Sequence, residues 1–139
     1  MYPLNIIFLL LLLLFAGCSP PTADEAALRR NLEEMQAAIE SKDMSRVLDF
    51  ADPEFVGPNG MDYSDLKNFT RLMLLRQRNV GVTSSGLQIQ IHENRAVVNL
   101  NVIVTGGDRF FPDNARSLKV TTTWQRDGAD WKLIVADWQ

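Results

Sequence analysis

Two periodicities follow one another along the chain after an opening apolar run. Ile6 to Phe15 is ten consecutive apolar residues. Further on, Leu28, Leu32, Met35 and Ile39 recur at i, i+4, i+7 and i+11, while Arg29, Arg30, Glu33, Glu34 and Glu40 point elsewhere. Thr22-Ala23-Asp24-Glu25 has the S/T-x-x-E form of a capping box, so the helix is predicted to start there. Ser41-Lys42-Asp43 reads as a turn, and Asp43 as the cap of a short second helix carrying Val47, Leu48 and Ala51, stopped by Asp52-Pro53. Glu54-Phe55-Val56 is a brief extended piece before the strong turn signal Gly57-Pro58-Asn59-Gly60. A third helix, capped by Asp62 or Ser64, is predicted to about Arg76, with Leu66, Phe69 and Met73 on one face and Leu72 and Leu75 broadening it.

After Asn79 the period becomes two. Leu87, Ile89 and Ile91 alternate with Gln88, Gln90 and His92, and His92-Glu93-Asn94-Arg95 is a hairpin turn. The next strand sets Ala96, Val98, Leu100, Val102 and Val104 on one face against Val97, Asn99, Asn101 and Ile103 on the other. Leu118, Val120, Thr122 and Trp124 define a third long strand, which turns at Asp127-Gly128 into a last one from Trp131 to Trp138. Helices followed by antiparallel strands predict an α+β domain, a curved sheet with three helices packed on its concave face.

Composition changes this picture at the N-terminus only. The 139 residues are 46% apolar, but without Met1 to Gly17 the remainder is about 41% apolar, an ordinary globular value. Ten apolar residues are too few to span a bilayer and match the core of an export signal. A net charge of -3 argues against a nucleic-acid partner. The lone cysteine, Cys18, makes neither an internal disulfide nor a cysteine zinc site, and no cofactor is implied.

Phe15-Ala16-Gly17-Cys18 resembles the lipobox of bacterial lipoproteins, with Phe15 where Leu is usual and no Lys or Arg from Met1 to Asn5. The resemblance implies removal of residues 1–17 as a signal peptide, lipidation of Cys18, and membrane attachment through it. Residues 18–22 then form the lipidated cysteine and a proline-stiffened tether, and residues 23–139 the domain. Ser19, where that resemblance would put Asp for inner-membrane retention, implies the outer membrane, facing the periplasm.

The order of elements, with Leu48-Asp49-Phe50-Ala51-Asp52 ahead of Phe55 and Trp124-Gln125-Arg126-Asp127-Gly128 leading into Trp131-Lys132-Leu133, resembles the nuclear transport factor 2-like superfamily, including its SnoaL-like members. That resemblance implies a cone, its sheet curled around a pocket closed by the helices. Isomerase members use a Tyr, a basic Asp and a protonated Asp. Here Met35, Pro58 or Gly57, and Thr122 fall at those positions, so isomerase chemistry of that type is not expected.

The pocket implied by the resemblance has Met35, Phe55, Tyr63, Trp124 and Asp137 as candidate lining. Asp137 shares the parity of Trp131, Leu133 and Val135 and so is a candidate inward carboxylate, with exposure at a strand end the plainer alternative. Trp124 and Trp131 read first as core aromatics, and His92 as a solvated turn residue. In the loop from Asp108 to Arg116, Arg109, Phe110 and Phe111 are candidate rim or partner contacts, weighed against both phenylalanines packing on the domain's own rim.

Two functions from different classes follow. One is a lipid-anchored module that binds a small ligand or an envelope protein without catalysis. Polar residues Asn99, Asn101, Thr121 and Thr123 mark the outer sheet face, where the resemblance implies a homodimer. The other is an isomerase or hydrolase using a pocket Asp, Asp137 or Asp49, as general base. The anchor has a direct test. Cys18→Ser is expected to abolish incorporation of radiolabelled fatty acid and to leave the precursor uncleaved; unchanged labelling would refute lipidation.

Overall fold

The computed structural model describes residue 20 and residues 22–77, 79–107 and 112–139. Cys18, Arg109, Phe110 and Phe111 lie outside the described residues. In chain order the elements are α1 (Ala23–Glu40), α2 (Met44–Asp49), β1 (Ala51–Val56), a 3-10 turn (Pro58–Gly60), α3 (Tyr63–Arg76), β2 (Asn79–His92), β3 (Arg95–Gly107), β4 (Pro112–Asp127) and β5 (Asp130–Trp138). The α+β class and the three helices follow the periodicities.

Each helix start is held by the side chain that its sequence offers. Thr22 Oγ1 accepts the Glu25 N–H, Asp43 accepts that of Arg46, and Asp62 and Asp65 form a reciprocal capping box at α3. The end of α1 is a Schellman turn, with the Lys42 N–H donating to Ile39 and that of Asp43 to Ala38. Lys42 takes the left-handed conformation there (φ 57°), a position that glycine usually fills.

The strands form one sheet in the order β1-β5-β4-β3-β2, antiparallel except at the β1 edge, where β1 runs parallel to β5. Asp52-Pro53, expected only to stop a helix, lies within β1. An edge strand tolerates a proline because one side of its backbone needs no ladder partner.

Two extra residues bend the sheet and reset the inward faces. Between Ser85 and Gln88 one residue of β2 is unmatched against Asn101 and Asn99, and Gly86 sits there at φ +65°. Val80 and Val82 therefore share the inner face with Ile89 and Ile91, although their numbers have opposite parity. On β5, Trp124 pairs with Leu133 and Thr123 with Val135, which leaves Ile134 as the extra residue. Ala136 and Trp138 turn inward beyond it, and Val135 and Asp137 turn outward.

The core fills the half of the sheet nearest the β4–β5 turn. Leu28, Phe55, Val98, Trp124 and Trp131 are fully buried, joined by Phe50, Ala51, Ala96, Leu133 and Ala136. The Trp124 indole N–H donates to Thr122 Oγ1 at 2.9 Å, and the Thr122 hydroxyl donates to the Val98 carbonyl. Above Trp131, Arg126 stacks on the indole at 4.6 Å and grips both Asp24 oxygens at 2.8 and 2.7 Å. This fork ties the first turn of α1 to the last hairpin.

Arg126, through its hydrogen bonds to Asp24, holds that carboxyl below its ordinary value, against a smaller opposing effect of desolvation. The stabilisation is complete above the unfolded carboxyl value of about 4 and is lost as pH falls through the lower folded value. Thermal melts of the native chain and Asp24→Asn should differ at neutral pH and converge as the pH falls below the lowered Asp24 value. Gly86→Val should cost about 1–2 kcal/mol in denaturant unfolding, because a branched side chain resists the left-handed conformation and its Cβ would stand 3.0 Å from Asn101 Nδ2.

Candidate functional site

Away from the tryptophans the inner face changes character. The same rows that carry Trp124, Val98 and Ile89 near the hairpin carry Val82, Val102, Val104 and Val120 at the other end. Valine side chains are short, so they do not fill the space that α3 spans above them. The result is a cavity of about 350 Å³ at the wide end of the cone.

Its floor comes from β2 (Val80, Val82), β3 (Val102, Val104, Thr105, Gly106) and β4 (Arg116, Leu118, Val120). Its roof is α3, through Phe69, Thr70, Met73 and Leu74, with Gln77 beyond the helix end. Ile39 and Val47 close one side and Trp138 another. Phe69 stacks on Trp138 with ring centroids 5.6 Å apart. Phe69 and Met73 are 38% and 41% exposed while lining the space, so the mouth opens beside α3.

Two polar ties and one close contact hold the walls. Gln36 Nε2 donates to the Val82 carbonyl at 2.8 Å, fixing α1 to β2. The Lys42 ammonium donates to the Gln77 carbonyl, joining the end of α1 to the residue after α3. The Gln77 side chain lies against Gly106, where a Cβ would meet it at 2.6 Å and push that side chain aside.

The lining is nearly all hydrocarbon. Its polar side chains are Thr70, Gln77, Thr105, Arg116 and the Trp138 indole. Among the described residues it contains no Asp, Glu or His, and no cluster of metal-ligating side chains occurs.

The structure brings the candidate residues of the sequence together in the core rather than around this space. Phe55 and Trp124 are buried in the core cluster, and Met35 and Tyr63 pack against it half-buried. Asp137 is exposed on the outer sheet face opposite Thr121, because the Ile134 bulge reverses its parity. Asp49 is exposed at the end of α2. Thr122 is buried with its hydroxyl engaged, and His92 is exposed beside the hairpin turn. The residues that sequence reasoning passed over are the distal valines and Arg116. The signal for them was a drop in side-chain volume along alternate positions, with Arg116 continuing the inward series of Leu118, Val120, Thr122 and Trp124.

Solved structures share this architecture. An NTF2-like protein of unknown function from Pseudomonas putida superimposes with a TM-score of 0.74 at 14% identity, over 87% of this chain and 89% of that one. The fold is nuclear transport factor 2-like. Bd1075 of Bdellovibrio bacteriovorus gives a TM-score of 0.73 at 20% identity over 83% of this chain; the match covers 41% of Bd1075, so this chain spans less than half of that protein. A putative scytalone dehydratase from Novosphingobium aromaticivorans matches with a TM-score of 0.71 at 13% identity, over 84% of this chain and 83% of that one. No family model and no curated protein matches the sequence. Identities this low establish the shared fold, and a fold of this kind carries both enzymes and non-enzymes.

Proposed function

We propose that this protein is a lipid-anchored module of a bacterial envelope whose cone-shaped domain binds a small, largely apolar molecule without transforming it. The observation that carries the reading is the cavity, a space of about 350 Å³ walled by valine, leucine, isoleucine and methionine. That size and lining suit a small-molecule site. General acid–base catalysis needs a titratable group within hydrogen-bond reach of the reacting atom. Asp49 and Asp137, the carboxylates considered for that role, stand exposed and away from the cavity.

The anchor rests on Phe15-Ala16-Gly17-Cys18, and the outer-membrane, periplasm-facing location on Ser19. The outer sheet face, where Ile103 and Val135 stand exposed near Asn101 and Thr121, is the surface we assign to pairing with a second copy. The cavity opens at the far end of α1 from the tether. Thr22 and Ile39 are separated by about 25 Å of helix rise, so ligand would enter from the side distant from the anchored end.

The binding role is tested by filling the space. The native protein in nanodiscs should take up the neutral probe N-phenyl-1-naphthylamine above the background of empty nanodiscs. Val104→Phe, which places a ring in the cavity, should weaken that uptake at least tenfold while leaving the far-ultraviolet spectrum unchanged. Equal uptake by both proteins, or none by the native one, would rule the reading out.

A further inference from the structure

We propose that the molecule bound is a single-chain amphipathic anion, its alkyl tail among the valines and its anionic head at Arg116 on the rim and at Lys42. This rests on the binding role proposed above and adds the chemistry of the ligand.

The position of Arg116 carries the inference. In the sheet register it stands opposite Val104, which stands opposite Val82, so the row across the inner face reads Val82, Val104, Arg116. The next row toward the core is Ser84, Val102 and Leu118. Arg116 is exposed, so it stands at the open rim of this apolar face, its stem along the lining and its guanidinium free to meet an anion. Among the described residues the lining contains no carboxylate, and Arg116 enters no ion pair.

A second cation is tied to a lining residue. Lys42 keeps a left-handed backbone that glycine would adopt more easily, and from there its ammonium reaches the carbonyl of Gln77, a lining residue. The nearest carboxylate on α1, Glu40, accepts a hydrogen bond from Gln36 at 3.0 Å. Two positive groups over a hydrocarbon-lined space are complementary to one negative head on one tail. About 350 Å³ lies at the small end of small-molecule sites, enough for one medium alkyl chain and too little for a two-chain lipid. Guanidinium pairs equally well with carboxylate and phosphate, so the head is either a fatty-acid carboxylate or the phosphate of a one-chain phospholipid.

The test is photo-crosslinking of the full-length, lipid-anchored protein in membrane vesicles with dodecanoate bearing a terminal diazirine, the adduct being mapped by mass spectrometry. The adduct should fall on Val102, Leu118 or Val120, the lining residues on the core side of the Arg116 row. Unlabelled dodecanoate should compete at about tenfold lower concentration than dodecanol, the share expected of one charge-assisted contact. Arg116→Gln should erase that preference while the adduct stays in the cavity, and Arg116→Lys should restore most of it. Stronger competition by lysophosphatidylglycerol than by dodecanoate would assign the head to a phospholipid and still support the proposal. Equal competition by dodecanol and dodecanoate in the native protein, or an unchanged preference in Arg116→Gln, would overturn it while leaving the binding role intact. Absence of any adduct in the cavity, with Val104→Phe behaving as native, would instead remove the binding role itself.

Discussion

The fall in side-chain volume along one face of one sheet is the constraint on which the rest of the structure depends. Near the β4–β5 turn the concave face carries Trp124 and Trp131, both fully buried, with Phe55 and Leu28 packed on them. Burial of each indole removes on the order of 200 Å² from water, roughly 5 kcal/mol before entropic losses. That end therefore closes. Toward the other end the same face carries valines, and an α-helix laid across them cannot descend far enough to fill the gap. A solid core and a hollow one are thus built from consecutive rows of the same strands.

The polar ties divide in the same way. At the solid end Asp24, Arg126 and Trp131 form a compact stack that fastens the start of α1 to the last hairpin. At the hollow end Gln36 and Lys42 reach across to Val82 and Gln77. These contacts hold α1 and α3 in place over space that hydrophobic packing leaves unfilled. Helix α3 leaves much apolar surface unburied: Leu72 and Leu75 are 54% and 76% exposed, and Phe69 and Met73 are shared between solvent and cavity. A roof with so few buried contacts is the element with the lowest expected cost of local opening.

Much of this was legible in the linear pattern. The caps at Thr22, Asp43 and Asp62, the Gly-Pro-Asn-Gly turn, the hairpins at Glu93-Asn94 and Gly128, and the alternation of β3 and β4 all follow from local chemistry that acts within a few residues. The core aromatics Trp124 and Trp131 were readable from the alternation of the last two strands. The cavity was not. Met35, Phe55, Tyr63 and Trp124 are large residues that belong in the core, whereas a hollow is made by residues too small to fill it.

By itself, the sequence determined where the helices begin, which later segments alternate as strands, and that the chain has an α+β fold. It determined these because capping, turn formation and periodicity are local. The tertiary structure alone decided which side chains share a cavity. A single extra residue reverses the facing of everything beyond it, and whether Ile134 or the Gly86 segment takes up that residue depends on the register of a neighbouring strand. For that reason Asp137 faces outward and Val80 and Val82 face inward. Arg116 became the charged residue of the site once Val104 and Val82 were set beside it.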